Sequence, residues 1–347
     1  MPDKLALTAE RLESARRSAD FDPAQLAEAL KLHANELILR GRLVDARVEL
    51  DEAAAIHHTR SQPYDEARCS QMSAALYRMG GKLAEAKQRA RRALDLAEAK
   101  GPVAVSAWTE LGEIAMAEGR AAEAVTAFNA AIDAGMATPA ANNFGPAHAA
   151  LLRKRAIVRA NMSAFDNALD DLRAAHDLLV ESGDGAAATR TLIEQATALH
   201  YAGRSEESAQ MIQQVIRLAE QTEDLSALSD IWMLVAAQAF ERGDGAAAMS
   251  AAYTARDAAL RAVVPQSYFG AAVAISRAAN AMGNRPEAYT ALATAWATLG
   301  DVLGKEAAQA WVEPVLSALR KEWGDDVFAA IRAQHDAQRR AVKGQDA

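Results

Sequence analysis

The feature that most constrains this chain is a turn signal that recurs about every 40 residues. Gly or Ser interrupts a helix-like stretch at seven positions, and a second helix-like stretch follows each of them. Gly suits such a position because it adopts the left-handed backbone conformation that ends a helix. The turns lie at 41, 81, 119, 163, 203, 243 and 283, so five intervals are 38 to 40 residues and one is 44. A fixed period of this length predicts an array of similar units.

Small residues occupy two fixed places after every turn. Small side chains let two helices approach closely, and steps of three and four residues return to one helical face. Five residues after the turns lie Ala46, Ala86, Ala124, Ala168, Ser208, Ala248 and Ala288. Twelve residues after the turns lie Ala53, Ala93, Ala131, Ala175, Val215, Ala255 and Ala295. The pattern predicts antiparallel helical hairpins that touch through these positions.

Residues 108–132 show the unit most clearly. They resemble a tetratricopeptide repeat (TPR), whose pattern W-x2-L-G-x2-Y…A-x3-F is matched by Trp108, Leu111, Gly112, Ala124 and Phe128. The resemblance implies an all-α fold: a right-handed superhelical solenoid of about seven TPR-like helix-turn-helix units with helical caps. A period near 40 exceeds the 34 residues of the plain repeat. HEAT and armadillo arrays, with periods of about 40 to 47, are therefore an alternative.

We expect three parts in the chain. Residues 1–22 are an N-terminal capping helix, with the helix itself over 4–19. Residues 23–300 are the repeat array, and 301–347 are a C-terminal helical cap and tail, with helices over 305–322 and 324–341. The 44-residue interval contains 137–149, which is rich in Pro, Asn and Gly. This segment is expected to be a surface connection; a joint between two sub-stacks and a loop that gates the groove are the alternatives.

Composition argues against several classes of protein. The net charge of −8 disfavours nucleic-acid binding, which needs a broad basic surface. The single cysteine, Cys69, excludes a disulfide within the chain and a Cys-based metal cluster. No apolar run approaches the roughly 20 residues of a membrane span. We therefore expect a cytoplasmic protein that binds neither nucleic acid nor membrane directly.

The sequence contains no recognisable catalytic motif: no Gly-rich phosphate loop, no H-E-x-x-H and no G-x-S-x-G. His57 and His58 are adjacent and diverge by about 100° on a helix, so we expect both to face solvent. Asp170 and Asp171 are expected on an exposed face, and Cys69 is expected to be a packed thiol. These observations predict a non-catalytic protein without catalytic residues, cofactor or metal.

The TPR resemblance also implies a binding groove lined by the first helix of each unit. Its predicted lining is Lys31, Asn35, Arg68, Gln71, Arg78, Met116, Arg153, Arg190, Thr197, His200, Met233, Phe240, Arg277 and Asn280, together with the acids Glu28, Glu113 and Asp230. The set has six basic and three acidic side chains. It favours an acidic segment or a free C-terminal carboxylate, which Arg binds through two parallel hydrogen bonds.

Two functions agree with this pattern. The first is a scaffold or adaptor that binds a protein or peptide in the groove, since solenoids offer extended binding surfaces. The second is a ligand- or peptide-sensing regulator that acts on a partner protein when the superhelix tightens. Homodimerisation through an end helix is a further expectation, because an imperfect cap leaves apolar surface.

Overall fold

The computed structural model describes residues 3–17, 22–97, 101–137 and 145–343, which form 17 α-helices and no strand. The first nine are α1 (Lys4–Arg17), α2 (Pro23–Leu39), α3 (Leu43–Thr59), α4 (Pro63–Met79), α5 (Leu83–Leu96), α6 (Pro102–Ala117), α7 (Ala121–Met136), α8 (Gly145–Asn161) and α9 (Phe165–Glu181). The others are α10 (Gly185–Tyr201), α11 (Ser205–Gln221), α12 (Leu225–Glu241), α13 (Gly245–Arg261), α14 (Pro265–Ala281), α15 (Arg285–Leu303), α16 (Lys305–Trp323) and α17 (Asp325–Lys343). The predicted all-α fold is confirmed.

The chain divides into two compact units, residues 1–184 and 185–347. In the first unit, α2 pairs with α3, α4 with α5, α6 with α7 and α8 with α9. In the second unit, α10 pairs with α11, α12 with α13, α14 with α15 and α16 with α17. The division follows α9 and does not fall in the segment 137–149, of which 138–144 lie outside the described residues.

One type of turn joins nearly all of these helices. The residue after the helix end has a positive φ, and the next amide donates back to a carbonyl five residues earlier, as in a Schellman motif. At the first turn, for example, Gly41 has a φ of 72° and the Arg42 amide donates to the Leu37 carbonyl at 2.9 Å. All seven predicted turn positions have this geometry, Ser163 included. The predicted hairpin register is therefore confirmed.

The same turn also separates successive hairpins, which the sequence did not reveal. Ser61, Glu223 and Val263 have φ values of 54° to 55°, although none is Gly. Each lies 20 residues after a predicted turn at Gly41, Gly203 or Gly243. The 40-residue period is therefore built from two similar halves, each a 17-residue helix and a three-residue turn.

The small residues at the two fixed places form the helix contacts, as predicted. All fourteen are buried, and the greatest exposure among them is 2%, at Ala248. In the hairpin of α6 and α7, Phe128 is fully buried and its ring covers Gly112. A Cβ atom on Gly112 would lie 2.5 Å from the ring atom Cε1 of Phe128, so only Gly fits there without a shift.

The first helices of successive hairpins pack on one another within each unit: α4 on α6, α10 on α12, and α12 on α14. The second helices cover the other side of this layer. We call the solvent-facing side of the first helices the first-helix face, and treat it separately in each unit.

Candidate functional site

The predicted groove residues lie on the first-helix face. None of the fourteen is buried; Asn35, Arg68, Arg190 and Arg277 are exposed, and the others are partly exposed. In α4, for example, Arg68, Gln71 and Arg78 share one side of the helix because their spacings are three and seven residues. The sequence therefore identified the surface, and the structure shows which of these side chains meet.

Ion pairs link three first helices of the first unit. Arg78 on α4 donates from Nε to Glu110 Oε2 on α6 at 2.7 Å. This hydrogen bond raises the pKa of Arg78 further, against the opposing effect of burial. On the other side of α6, Glu113 accepts a hydrogen bond from Lys154 on α8. Both Glu110 and Lys154 were missed from sequence because their partners are 32 and 41 residues away.

A cleft of about 280 Å³ crosses these helices on the first-helix face. Gln71 from α4, Ser106 and Thr109 from α6, and Lys154 from α8 line it. Ala150 and Leu151 of α8 add an apolar wall. The cleft therefore offers an amide, two hydroxyls and an ammonium group from three successive first helices.

The remaining predicted residues of the first unit have local partners. Lys31 Nζ lies 2.7 Å from Glu28 Oε2, three residues earlier on α2. Arg68 is 4.0 Å from Asp65 and keeps about half of its side chain exposed. Asn35 and Met116 lie on the same face of α2 and α6, whereas Arg153 neighbours the cleft residue Lys154.

In the second unit, α10 and α12 meet through a charged pair. Burial raises the pKa of Asp230 on α12, and the positive charge of Arg190 on α10 opposes this shift. Met233 lies three residues further along α12 and is partly exposed. Thr197 donates its hydroxyl hydrogen to the Ile193 carbonyl of its own helix at 2.9 Å, so this hydroxyl is engaged locally.

Two further predicted residues pair across helices of the second unit. His200 Nε2 on α10 lies 2.7 Å from Glu241 Oε2 on α12. The Arg277 guanidinium on α14 stacks 5.0 Å above the Phe240 ring on α12, a cation–π contact. These contacts join the first-helix face of α10, α12 and α14 into one continuous surface.

Asn280 has a structural partner in the C-terminal helices. Its Oδ1 accepts a hydrogen bond from Trp323 Nε1 at 2.8 Å, and its Nδ2 donates to Glu322 Oε1 at 2.9 Å. Both partners belong to α16. Asn280 therefore anchors α16 on α14, in addition to lying on the predicted face.

The expected excess of positive charge is smaller than the sequence suggested. In the first unit the structure adds Asp65 and Glu110, but also Lys154, to the charged side chains of this face. In the second unit it adds Glu241 beside His200. Most of the predicted cations therefore already face a carboxylate, and the face is mixed in charge.

Larger clefts lie along α5, among the second helices of the first unit. One of about 740 Å³ lies between α5 and α7 over Trp108 and Leu111. Another of about 990 Å³ lies between α3 and α5. Lys87 and Arg91 border both clefts. The run of basic residues KQRARR in α5 was the available sequence signal, but the first-helix analysis left it aside.

Two expectations about single residues were wrong. Asp171 is only 4% exposed, because it accepts hydrogen bonds from Arg155 Nε at 2.9 Å and Arg159 Nη1 at 2.7 Å; Asp170 is exposed as expected. His57 is 6% exposed, since its Nδ1 lies 2.9 Å from Gln62 Oε1 in the following turn. The two adjacent pairs were treated alike, although neighbouring positions on a helix face different surroundings.

Cys69 is a packed thiol, as predicted. It is fully buried in α4, and burial raises its pKa to about 11. Across the described ranges, no group of three or more His, Cys, Asp or Glu side chains could hold a metal ion. None of the helices in the described part of the chain is both long and apolar enough to cross a membrane.

Comparisons with solved structures identify the fold. A TPR protein from Parabacteroides merdae has a TM-score of 0.55 and 17% identity, over 83% of this chain and 97% of its own. RapI in its apo form has a TM-score of 0.58 and 11% identity, over 83% of this chain and 99% of its own. TPR-like repeats of a putative kinesin light chain from Podosopora anserina have a TM-score of 0.50 and 18% identity, over 58% of this chain and 98% of theirs.

No protein-family model matches the sequence, and a search of curated proteins found no match. The structural likeness therefore defines the class: this is a TPR-like helical repeat protein. The predicted resemblance to TPR proteins is confirmed at the level of the fold.

Proposed function

We propose that the chain is a non-catalytic scaffold that holds a segment of another protein on the first-helix face of its first unit. The observation that carries this proposal is the cleft lined by Gln71, Ser106, Thr109 and Lys154. Three successive first helices contribute to it, so a segment that follows the cleft would contact several repeats at once. Repeat arrays gain their extended binding surfaces in this way.

The chemistry of the cleft suggests what such a segment would offer. An extended segment presents amide and carbonyl groups, with which the Gln71 side chain and the two hydroxyls can form hydrogen bonds. A carboxylate in the segment would compete with Glu113 for Lys154, or pair with the half-exposed Arg68. We therefore propose an acidic residue or a free C-terminal carboxylate near one end of the segment. The rest of the segment is expected to be uncharged, because this face is mixed in charge.

Affinity capture with the purified chain tests the proposal. A partner retained in a fixed stoichiometry is identified by mass spectrometry, and its Kd is then measured by calorimetry. Charge reversal of Arg68 and Lys154 together should weaken binding at least about tenfold, since truncating or reversing a close charge contact costs about 2 kcal/mol or more. Arg173→Glu, an exposed change on α9, is the matched control and should bind as the unchanged chain does.

Two outcomes would count against this assignment. If the double charge reversal leaves the Kd unchanged, the segment does not bind at this cleft. If no partner is retained in a fixed ratio, the scaffold function itself is wrong. The predicted cytoplasmic location and the predicted homodimer are separate proposals, tested by cell fractionation and by sedimentation.

A second candidate function is a ligand-sensing regulator that acts on a partner protein. The observation that favours it is an aromatic cleft among the last three helices. A ligand that tightens the repeat array should raise the melting temperature and reduce the radius of gyration in solution scattering. Melting and scattering curves that are identical with and without a bound ligand would contradict this candidate.

A further inference from the structure

The last three helices of the second unit enclose a cleft of about 500 Å³. Tyr289 and Trp296 of α15 line it, together with Phe328 and His335 of α17. α16 supplies Leu316 and the third side of the cleft. Its volume falls within the range of about 300 to 1,000 Å³ that is typical of sites for small molecules.

Two buried polar groups in this cleft lack a hydrogen-bond partner among the described residues. Tyr289 is 7% exposed, and its ring meets the rings of Phe328 and His335 edge to face at 5.5 and 5.3 Å. Its hydroxyl forms no hydrogen bond within the described part of the chain. His335 is 9% exposed; its Nδ1 has no hydrogen bond there and lies 3.6 Å from Asp336 Oδ1. A buried polar group without a partner costs about 1 to 3 kcal/mol, so both residues suggest a missing ligand.

The charges around the cleft favour an anion. Three guanidinium groups border it, from Arg320, Arg332 and Arg339, against two carboxylates, from Glu313 and Asp336. Arg332 is 4.0 Å from Asp336, too far for a hydrogen bond. Arg339 forms no ion pair within the described residues. Arg332 can therefore turn toward a ligand without breaking a hydrogen bond.

We propose that this cleft binds a small aromatic carboxylate. The ring of the ligand would pack between Trp296 and Phe328, where stacked and edge-to-face contacts are available. Its carboxylate would pair with Arg332 and accept a hydrogen bond from the Tyr289 hydroxyl, which satisfies the buried phenol. The inference goes beyond the scaffold function, and it uses no residue of the first-helix face of the first unit.

Calorimetry on the full-length chain tests the inference, with benzoate and indole-3-acetate as probes. We expect saturable one-to-one binding of at least one probe, with a Kd of about 1 mM or tighter for ligands of this size. Benzyl alcohol, which lacks the carboxylate, should bind at least about tenfold more weakly, since a hydrogen bond to a charged group contributes strongly. Equal binding of the acid and the alcohol, or no saturation by either acid, would overturn the proposal.

Two variants locate the binding. Tyr289→Phe removes the hydroxyl and keeps the ring, and Arg332→Gln removes the charge; each should raise the Kd at least about fivefold. Tyr253→Phe is the matched control, because Tyr253 lies in the same unit but its hydroxyl is bonded to Glu287. Circular dichroism confirms that each variant is folded. If Tyr253→Phe weakens binding as much as Tyr289→Phe, the probe does not bind in this cleft.

Discussion

Replacing Gly112 by Ala tests whether α6 and α7 pack as closely as the structure indicates. Ala in a helix interior is favoured over Gly by about 1 kcal/mol. Here, however, the added Cβ would lie 2.5 to 2.8 Å from three ring atoms of the fully buried Phe128. Contacts between carbon atoms are optimal at about 3.5 to 4.0 Å, so the ring must move by about 1 Å. Overpacking of this kind costs about 1 to 3 kcal/mol, and we expect a net loss of about 1 kcal/mol.

Gly270→Ala is the matched control for this change. Gly270 also lies inside a helix, α14, but an added Cβ there meets no atom within 4 Å. This variant should therefore be stabilised by about 0.5 to 1 kcal/mol. Urea unfolding followed by circular dichroism measures both variants.

A double-mutant cycle with Phe128→Leu then isolates the contact. With the ring removed, Gly112→Ala should change from destabilising to neutral or stabilising, because contacting residues couple by about 0.5 to 3 kcal/mol. If Gly112→Ala and Gly270→Ala stabilise the chain equally, the close approach of α6 to α7 is wrong.

Four further changes test other parts of the structure. Asp171→Asn should cost about 3 to 5 kcal/mol, because it leaves buried guanidinium groups without their carboxylate, whereas Asp170→Asn, at a side chain 73% exposed, should cost less than about 0.5 kcal/mol; equal midpoints in urea would refute this difference. Cys69, with its pKa raised from 9.0 to about 11, should resist thiol reagents in the native state, with a thiolate fraction at pH 8 about 100-fold below that of the unfolded chain. Because the native state holds this proton more tightly, its contribution to stability should fall as pH rises from 9.0 to about 11, and rapid native labelling would contradict the assignment. Val263→Gly should stabilise the chain by about 1 kcal/mol, since Val263 has a φ of 55°, and a lower thermal midpoint would show that the turn is not strained. Asn280→Ala should increase hydrogen exchange in α16 but not in α13, because it removes both hydrogen bonds to α16; unchanged exchange in α16 would contradict that role.

The hairpin register could be predicted because its signals are local. Gly at a helix end and a small residue at a helix contact each reflect a steric requirement of a single position, and 40-residue recurrence reveals them. Non-Gly turns carry no such signal: Glu223 and Val263 adopt positive φ because the flanking helices impose it. The second set of turns, and with it the 20-residue half-repeat, was therefore missed.

The face of the candidate site was predictable, but its chemistry was not. Helical periodicity places Arg78 and its neighbours on one side of the first helices. Their partners come from other hairpins: Glu110 is 32 residues from Arg78, and Lys154 is 41 residues from Glu113. Such pairs depend on how hairpins pack, and packing cannot be derived from one repeat. For the same reason, the sequence showed the positive charge of the face more clearly than the acids that neutralise it.

The aromatic cleft could not be found from sequence for a related reason. Its lining comes from α15, α16 and α17, where the repeat pattern fades. Tyr289 and His335 are 46 residues apart in the sequence and meet only because α17 packs back on α15. Without the repeat as a guide, these residues had no predicted positions.

The central claim, that a protein segment binds along the first helices of the first unit, is tested most directly by photo-crosslinking from two sides of one hairpin. Thr109 lies in the first-helix cleft on α6, and Thr126 lies in the opposite cleft between α5 and α7. A photoreactive amino acid at each position is exposed to the captured partner in turn. We expect a crosslink from position 109 and none from position 126. A crosslink from position 126 alone would place the partner on the second helices and contradict the account.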